Sequence, residues 1–168
     1  AKARLMGAGT IIAVDRSPFR LALAERCGAD ALLDANGTTS EERVARVYEL
    51  TRGLGANVVV ECVGCPEVVP EGLEMTAKGG LYLEAGNFVD TGSVSLSPHR
   101  HFLARNIRLL GISNHPVTAY APGLRLMQAH PEVPWEEIVT HTFPLAQAAA
   151  ALARSMEPDS MKVVIAPG

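Results

Sequence analysis

Short apolar runs alternate with amphipathic segments along this chain. The first run, Thr10–Val14, is rich in β-branched residues and ends at Asp15. The strongest strand signal lies at Asn57–Gly64, which holds three consecutive valines. Runs of this kind predict parallel strands, because a strand covered on both faces is apolar throughout. We therefore expect the strand at Asn57–Gly64 to be covered on both of its faces.

Capping signals mark where the helices begin and end. Ser17 before Pro18 predicts a capped helix start, and Gly28 predicts the end of that helix. Thr39 begins another helix, whose first-turn glutamates suit the helix dipole. The predicted helices span residues 18–27, 39–52, 66–75, 98–105, 118–129 and 145–155, after a helix end at residues 1–8. The further strands span residues 31–33, 81–85, 107–112 and 162–166, with extended pieces at residues 93–96 and 136–142.

This alternation of strands and helices is typical of consecutive βαβ units. Such units build an α/β fold with a doubly wound parallel sheet. The pattern changes at residue 139, where a short strand, a helix and another short strand follow one another. We therefore predict a dinucleotide-binding domain at residues 1–138 and a separate C-terminal segment at residues 139–168.

Composition narrows the classes of partner. The net charge of −3 argues against binding to nucleic acid or to an acidic membrane surface. No apolar run approaches the length of a membrane span. The three cysteines do not form the even set of a disulfide framework, which favours a reducing, cytoplasmic setting.

The carboxylate of Asp15 is the leading candidate for ligand binding. It ends a predicted parallel strand just before a capped helix, which is where open α/β sheets bind ligands. There it can accept two hydrogen bonds from a ribose diol, although an acid in a solvated turn is the alternative. Its charge would repel a 2′-phosphate and so favours NAD over NADP. The adjacent Arg16 weakens that preference, because a guanidinium pairs well with phosphate.

Five segments together resemble the coenzyme-binding half of the zinc-containing medium-chain alcohol dehydrogenases. They are Gly9–Asp15 with Arg20, Gly55–Gly64, Lys78–Gly86, Arg105–Gly111, and His141–Leu145 followed by Ser160–Pro167. The resemblance extends over essentially the whole chain. It implies a Rossmann-type sheet and, in the intact enzyme, zinc-dependent hydride transfer between NAD and a small alcohol or carbonyl substrate.

The same resemblance implies that parts of the enzyme lie outside these residues. Family members begin with a catalytic domain that holds zinc, followed by the first Rossmann strand and its glycine-rich turn. Gly7-Ala8-Gly9 is not that turn, because a strand follows it where the fingerprint needs a helix. We therefore expect no catalytic residue and no metal ligand in this chain, which would be inactive alone. Residues 139–168 would belong to the catalytic domain.

The resemblance also implies a set of coenzyme contacts beyond Asp15 and Arg16. Arg20 would lie near the adenosine ribose and Lys162 near the pyrophosphate. The residues at the strand ends would lie near the coenzyme crevice and the nicotinamide. The strand-end residues are Cys62, Val63, Gly64, Ala85, Gly86, Asn87, Leu110 and Gly111. The alternatives are an acid-paired helix residue for Arg20, ordinary turns at the strand ends and a surface lysine for Lys162. Ser93–Leu96 and Ile107–Ile112 resemble the family's dimer edge, which implies a homodimer or homotetramer.

Other functions fit parts of the pattern. Cys62 and Cys65 have CxxC spacing, but no second pair follows, and Cys62 is expected at a buried strand end. Methyltransferases that use S-adenosylmethionine also place an acid after their second strand. In this chain Cys62-Val63-Gly64 occupies the position where those enzymes carry an Asn/Asp-Pro-Pro-aromatic motif, which argues against that class. A non-catalytic nucleotide-sensing module is the third possibility, since no catalytic residues are expected here.

Overall fold

Seven strands, all paired in parallel, alternate with helices in the computed structural model, which describes residues 1–168. The strands are β1 (Ile12–Asp15), β2 (Ala31–Asp34), β3 (Ala56–Glu61), β4 (Thr76–Glu84), β5 (Arg108–Gly111), β6 (Val139–Pro144) and β7 (Lys162–Ala166). The α-helices are α1 (Lys2–Leu5), α2 (Pro18–Arg26), α3 (Ser40–Leu50), α4 (Val69–Met75), α5 (Pro98–His101), α6 (Tyr120–Ala129) and α7 (Ala148–Ser155). Single 3-10 turns lie at Pro66–Val68, Leu103–Arg105, Val117–Ala119, Trp135–Ile138 and Leu145–Gln147. The α/β class with parallel sheets is confirmed.

The chain divides into two compact units. One is formed by residues 1–37 and 116–168. It contains two parallel strand pairs, β1 with β2 and β6 with β7. The Ser17 hydroxyl accepts the Arg20 N–H at the start of α2, and Gly28 ends the helix at a φ of +97°. The capping prediction is therefore confirmed at both ends of α2.

The second unit, residues 38–115, contains the three-stranded sheet β3–β4–β5. Thr39 and Glu42 form a capping box at the start of α3, as the Thr39 signal predicts. The core of this unit includes the buried side chains of Val47, Leu73 and Tyr82. These side chains hold α3 and α4 against the sheet because burying them removes apolar surface from water.

Arg43 and Arg105 link the helices of the second unit through ionic and hydrogen-bonding contacts. Arg43 and Glu71 form a two-pronged ion pair between α3 and α4, with N···O distances of 2.6 Å. The Glu71 carboxylate, despite partial burial of the pair, raises the pKa of Arg43. Arg105 donates to the carbonyl oxygens of Leu73 and Glu74 at 3.1 and 2.9 Å, to that of Thr76, and to the Tyr48 hydroxyl at 2.6 Å. These bonds satisfy carbonyls at the C-terminal end of α4 that the helix itself cannot pair.

The strand at residues 57–64 is less covered than its sequence predicts. Val58 and Val60 are each 53% exposed, so the expectation that both faces are covered is wrong for this chain. β3 pairs only with β4 and forms an edge of its sheet, and an edge strand has fewer neighbours to cover it. β1 and β3 belong to different sheets.

Smaller differences concern element boundaries. β4 begins at Thr76, five residues before the predicted start, and residues 93–96 pair with no strand. The predicted helix at residues 98–105 divides at Phe102, whose φ of −125° lies outside the helical range. Each helix in the chain is either too short or too polar to cross a bilayer. The predicted division between residues 138 and 139 stays a prediction.

Candidate functional site

The turn after β1 presents a carboxylate at the head of a capped helix. Asp15 ends β1, and its Oδ1 accepts the Ser17 N–H at 2.8 Å. The carbonyl oxygen of Arg16 accepts the side-chain amide of Asn36, while the Arg16 residue itself is exposed. The turn is therefore fixed by hydrogen bonds of its own. The acidic Asp15 and the basic Arg16 are adjacent in this turn.

Arg20 and Lys162 occupy the same unit as Asp15, but Arg20 is engaged by the protein. Arg20 Nη2 donates to the carbonyl oxygen of Ser160 at 3.3 Å, and its Nε is buried without a partner. The Ser17 hydroxyl donates to the carbonyl oxygen of Pro158 at 3.1 Å. These bonds hold the segment that precedes β7, where the exposed Lys162 begins the strand. Arg20 is thus paired with a carbonyl rather than with the acid considered from the sequence.

In the second unit, two turns follow the carboxyl ends of β3 and β4 and touch each other through their backbones. We call residues 62–64 and 85–87 the strand-end turns. A Cβ atom built on Gly64, whose φ is +77°, would lie 2.5 Å from the carbonyl oxygen of Gly86. A Cβ atom on Gly86 would overlap the nitrogen of Gly64 and lie 2.8 Å from that of Val63. Only glycine at both positions permits this approach.

Glu61 connects the strand-end turns from beneath. Its residue is 5% exposed, and its Oε1 accepts the N–H groups of Val63 and Gly64 at 2.6 and 2.9 Å. Its Oε2 accepts the Gly86 N–H at 3.2 Å and the side-chain amide of Asn87 at 3.3 Å. One carboxyl group therefore fixes both turns. Sequence reasoning missed Glu61, although an acid that ends a run of valines is the same signal that identified Asp15.

A second carboxyl group, that of Glu84, contacts Glu61 and the same amide. Glu84 Oε1 accepts the backbone N–H of Asn87 at 3.1 Å and its side-chain amide at 3.0 Å. Burial and the hydrogen bond with Glu84 raise the pKa of Glu61. Burial alone would raise the pKa of Glu84 too, but hydrogen bonds from Glu61, Asn87 and Gly86 outweigh it and lower that pKa. Glu61 therefore loses its proton at a higher pH than Glu84 does.

The other titratable groups beside this carboxyl pair stay neutral. Burial, reinforced by the charges of Glu84 and Glu61, raises the pKa of the Tyr82 hydroxyl and that of the Cys62 thiol. The Cys62 residue is exposed, with its thiol only partly covered by neighbouring atoms, so the expectation of a buried strand end is wrong at this position. The thiol of Cys65 donates to Glu67 at 2.7 Å. No group of three or more histidine, cysteine or acidic side chains converges as metal ligands would.

A cavity of about 410 Å³ opens beside the strand-end turns. Glu84, Asn87 and Asp90 line it together with Leu109 of β5 and the apolar side chains of Pro66 and Val69. In the register of β4 and β5, Gly111 lies opposite Glu84 and Leu110 opposite Leu83. Ala85 continues the pairing of β4 with β3 by donating its N–H to the Glu61 carbonyl oxygen at 3.1 Å. The structure therefore brings the predicted residues of this unit to one end of one sheet.

Two curated relatives are similar to most of this chain. The 5-exo-hydroxycamphor dehydrogenase of Pseudomonas putida is 32% identical over 147 residues, which are 87% of this chain and 40% of that enzyme. The sorbitol dehydrogenase of Ovis aries is 31% identical over 163 residues, which are 97% of this chain and 44% of that enzyme. The chain thus spans less than half the length of these relatives. They give no support to a methyltransferase.

A solved structure matches the fold closely. The alcohol dehydrogenase of Thermotoga maritima superposes with a TM-score of 0.92 at 29% identity, over 99% of this chain and 46% of that one. The sequence model that describes zinc-binding dehydrogenases matches residues 1–129 of this chain. Because this match covers most of the chain and agrees with the parallel sheets and their glycine-bearing turns, the chain belongs to the zinc-binding dehydrogenase family.

Proposed function

We propose that this chain forms the coenzyme-binding portion of a zinc-dependent alcohol dehydrogenase that acts on a small alcohol or carbonyl substrate with NAD. The observation that carries the proposal is the turn after β1. In a chain of the zinc-binding dehydrogenase family, it offers a strand-end carboxylate at the head of a capped helix. When bound, zinc supplies Lewis-acid polarisation of the substrate oxygen, and NAD supplies the hydride chemistry.

Asp15 suits an adenosine ribose. Its Oδ1 already accepts the Ser17 N–H, which fixes the direction of the carboxylate and leaves Oδ2 to accept from a ligand hydroxyl. A carboxylate at this place accepts hydrogen bonds from a ribose diol and repels a 2′-phosphate. We therefore assign NAD in preference to NADP, with Arg16 as the residue that limits the preference. Arg20 and Lys162 are assigned to the ribose and the pyrophosphate, respectively.

The strand-end turns suit the other half of a dinucleotide. Gly64 and Gly86 carry no side chain that would hold a ligand away from the backbone, and both lie at the carboxyl end of a parallel sheet. We assign the crevice contacts to Cys62, Val63 and Gly64. The nicotinamide contacts are assigned to Ala85, Gly86, Asn87, Leu110 and Gly111. These residues bind and orient the coenzyme, and we place the catalytic zinc on residues outside this chain.

The test uses the complete gene product that contains this chain, supplied with zinc. We expect NADH to bind and a panel of alcohols to be oxidised as NAD is reduced, followed by the absorbance of NADH. Chelation of zinc should abolish turnover while NADH binding persists, because this chain's residues hold the coenzyme. A product that binds NADH but turns over no alcohol or carbonyl compound would instead be a nucleotide-sensing module. A product that binds no nicotinamide coenzyme would overturn the proposal.

We further propose that the complete protein is a homodimer or homotetramer. All four residues of the edge strand β5 are exposed, and Leu110 is 51% exposed. An uncovered apolar edge strand favours pairing with another strand, and a second copy supplies an identical one. Analytical ultracentrifugation should give a dimer or a tetramer. A monomer at micromolar concentration would contradict this assignment.

We also assign residues 139–168 to the catalytic domain of the complete protein and place that protein in the cytoplasm. In support of the first assignment, β6 and β7 form a parallel pair of their own with α7 between them. In support of the second, the cysteines are thiols, as expected in a reducing compartment. A structure of the complete gene product would test the domain assignment, and cell fractionation would test the location.

A further inference from the structure

We infer that Glu61 is a positioning residue for the nicotinamide half of the coenzyme, because its single carboxyl group holds the two strand-end turns together. The inference rests on the proposed function and deepens it, since it names the group on which the geometry of the nicotinamide side depends. Glu61 is buried and acts through the turns rather than by touching the coenzyme. A change at Glu61 therefore weakens binding of the nicotinamide half and leaves binding of the adenosine half intact.

The two carboxyl oxygens of Glu61 are divided between the turns. Oε1 accepts the backbone N–H groups of Val63 and Gly64 at 2.6 and 2.9 Å, so it serves the turn after β3. Oε2 accepts the backbone N–H of Gly86 at 3.2 Å and the side-chain amide of Asn87 at 3.3 Å, so it serves the turn after β4. A side chain can therefore hold both turns at once only if both of its terminal atoms accept hydrogen bonds.

The backbone of each turn lies against the other turn and against the Glu61 carboxyl group. A Cβ atom on Gly64 would lie 2.5 Å from the carbonyl oxygen of Gly86, and one on Gly86 would overlap Oε2 of Glu61. This close packing leaves neither turn the space to shift toward the other, so displacement of the carboxyl group would free both. One side chain thus sets the position of both turns.

The second carboxyl group beside the turns cannot replace Glu61. Glu84 Oε1 accepts the backbone N–H and the side-chain amide of Asn87 at 3.1 and 3.0 Å, and its Oε2 accepts the Tyr82 hydroxyl at 3.5 Å. These bonds reach β4 and the turn after it. The side-chain hydrogen bonds that join this turn to the turn after β3 run through Glu61.

The adenosine side of the proposed site is fixed by separate hydrogen bonds. Asp15 Oδ1 accepts the Ser17 N–H at 2.8 Å, within the unit that includes residues 1–37. Glu61 and both strand-end turns belong to the unit of residues 38–115. The bond that directs the Asp15 carboxylate does not involve Glu61, so we expect the adenosine half to bind independently of Glu61.

Glu61→Gln tests the inference with almost no change in side-chain volume. The glutamine Oε1 can still accept from one turn, but its Nε2 is a donor and would face the N–H groups of the other turn. One turn is then released, and the coenzyme must bring it back into place when it binds. Glu49→Gln is the same substitution on an exposed part of α3 and serves as the matched control.

The readout is a pair of dissociation constants, for NADH and for ADP, measured by calorimetry on the complete gene product at neutral pH. ADP has the adenosine and the two phosphates but neither the nicotinamide nor its ribose. We expect Glu61→Gln to raise the Kd for NADH about 10-fold, the equivalent of one lost hydrogen bond. Its Kd for ADP should change by less than about 2-fold, and Glu49→Gln should leave both values unchanged.

The other outcomes separate the inference from the proposed function. An equal rise in both dissociation constants would show that Glu61 supports the fold as a whole. No rise in either would show that the turns keep their positions without the second acceptor oxygen. Both results overturn the inference and leave the proposed function intact. Failure of the unaltered protein to bind NADH would instead overturn the proposed function, and the inference with it.

A second measurement keeps the inference testable if Glu61→Gln does not fold. Hydrogen exchange in the unaltered complete protein reports on the N–H groups of Val63, Gly64 and Gly86, which all donate to Glu61. Because one carboxyl group holds them, we expect the three to share one free energy of opening, which NADH raises for all of them together. Protection of one turn without the other would show that the turns are held separately, and the inference would be wrong.

Discussion

Asp15 and Glu61 both end a parallel strand, yet the structure uses them in opposite ways. Asp15 accepts one backbone N–H from the helix start that follows it and has an oxygen left for a ligand. Glu61 is 5% exposed and accepts from both strand-end turns, so that its oxygens are committed to the protein. Under the proposed function, an acid at a strand end therefore indicates a ligand site only when the chain leaves one of its oxygens without a hydrogen bond. When neighbouring turns enclose the acid, it becomes part of the scaffold.

Removal of the buried carboxyl group of Glu61 should have the largest effect. Glu61→Ala leaves the N–H groups of Val63, Gly64 and Gly86 without their acceptor, and we expect it to lower the free energy of unfolding by about 3–5 kcal/mol. Urea unfolding at neutral pH measures this change. Glu49→Ala, whose side chain is exposed, should cost less than about 1 kcal/mol. A loss below about 1 kcal/mol in Glu61→Ala would mean that water satisfies the turns.

The contact between the turns gives the next largest effect. Gly86→Ala places a methyl group against Glu61 and the nitrogen of Gly64, and the resulting strain should cost about 2–3 kcal/mol. The control is Gly37→Ala, where a Cβ atom meets no other atom within 4 Å. Thermal unfolding of the two variants should differ by several degrees. Equal melting temperatures would show that the strand-end turns do not touch.

Removal of the Asp15 carboxylate should weaken coenzyme binding and leave the stability of the fold nearly unchanged. Asp15→Ala should raise the Kd for NADH by roughly 10- to 100-fold, because a hydrogen bond to a charged acceptor is lost. Its free energy of unfolding should change by less than about 1 kcal/mol. Asp15→Asn, which keeps an acceptor for the Ser17 N–H, is the matched variant. An unchanged Kd in Asp15→Ala would show that Asp15 is only an acid in a solvated turn.

The smallest effect is the pH dependence of stability. The raised pKa of Glu61 gives stability that is present below the ordinary value of 4.5 and is lost as pH rises through the raised value. The lowered pKa of Glu84 gives stability that is present above 4.5 and is lost as pH falls through the lowered value. The contribution of this pair to the free energy of unfolding should therefore be largest at pH values between the lowered pKa of Glu84 and the raised pKa of Glu61.

The size of this maximum is limited by solvent. Because Glu84 is partly exposed, we expect the pair to contribute no more than about 1 kcal/mol at the maximum. Unfolding in urea at a series of pH values measures it, and the decline on the high-pH side of the maximum should be smaller in Glu84→Gln. An identical pH profile in that variant would assign the decline to other groups.

Features set by neighbours in the sequence could be predicted, and those set by distant contacts could not. Ser17, Gly28 and Thr39 act within one helical turn, so their signals identify the helix ends in advance. The exposure of Val58 depends on which other elements pack against β3, and the sequence of the strand itself does not predict them. The carboxyl group of Glu61 accepts a hydrogen bond from Gly86, 25 residues away, so the run of valines predicts the strand but not the contacts of this acid.

Arg105 joins parts of the second unit that would otherwise be able to open separately. Its guanidinium binds carbonyls where α4 passes into β4 and also the Tyr48 hydroxyl at the end of α3. Detaching the segment that leads into β5 would leave those carbonyls without their donor, which is costly. Local openings of α4 and β5 are consequently coupled into one cooperative event, and hydrogen exchange of the amide protons in both elements should give a common free energy of opening.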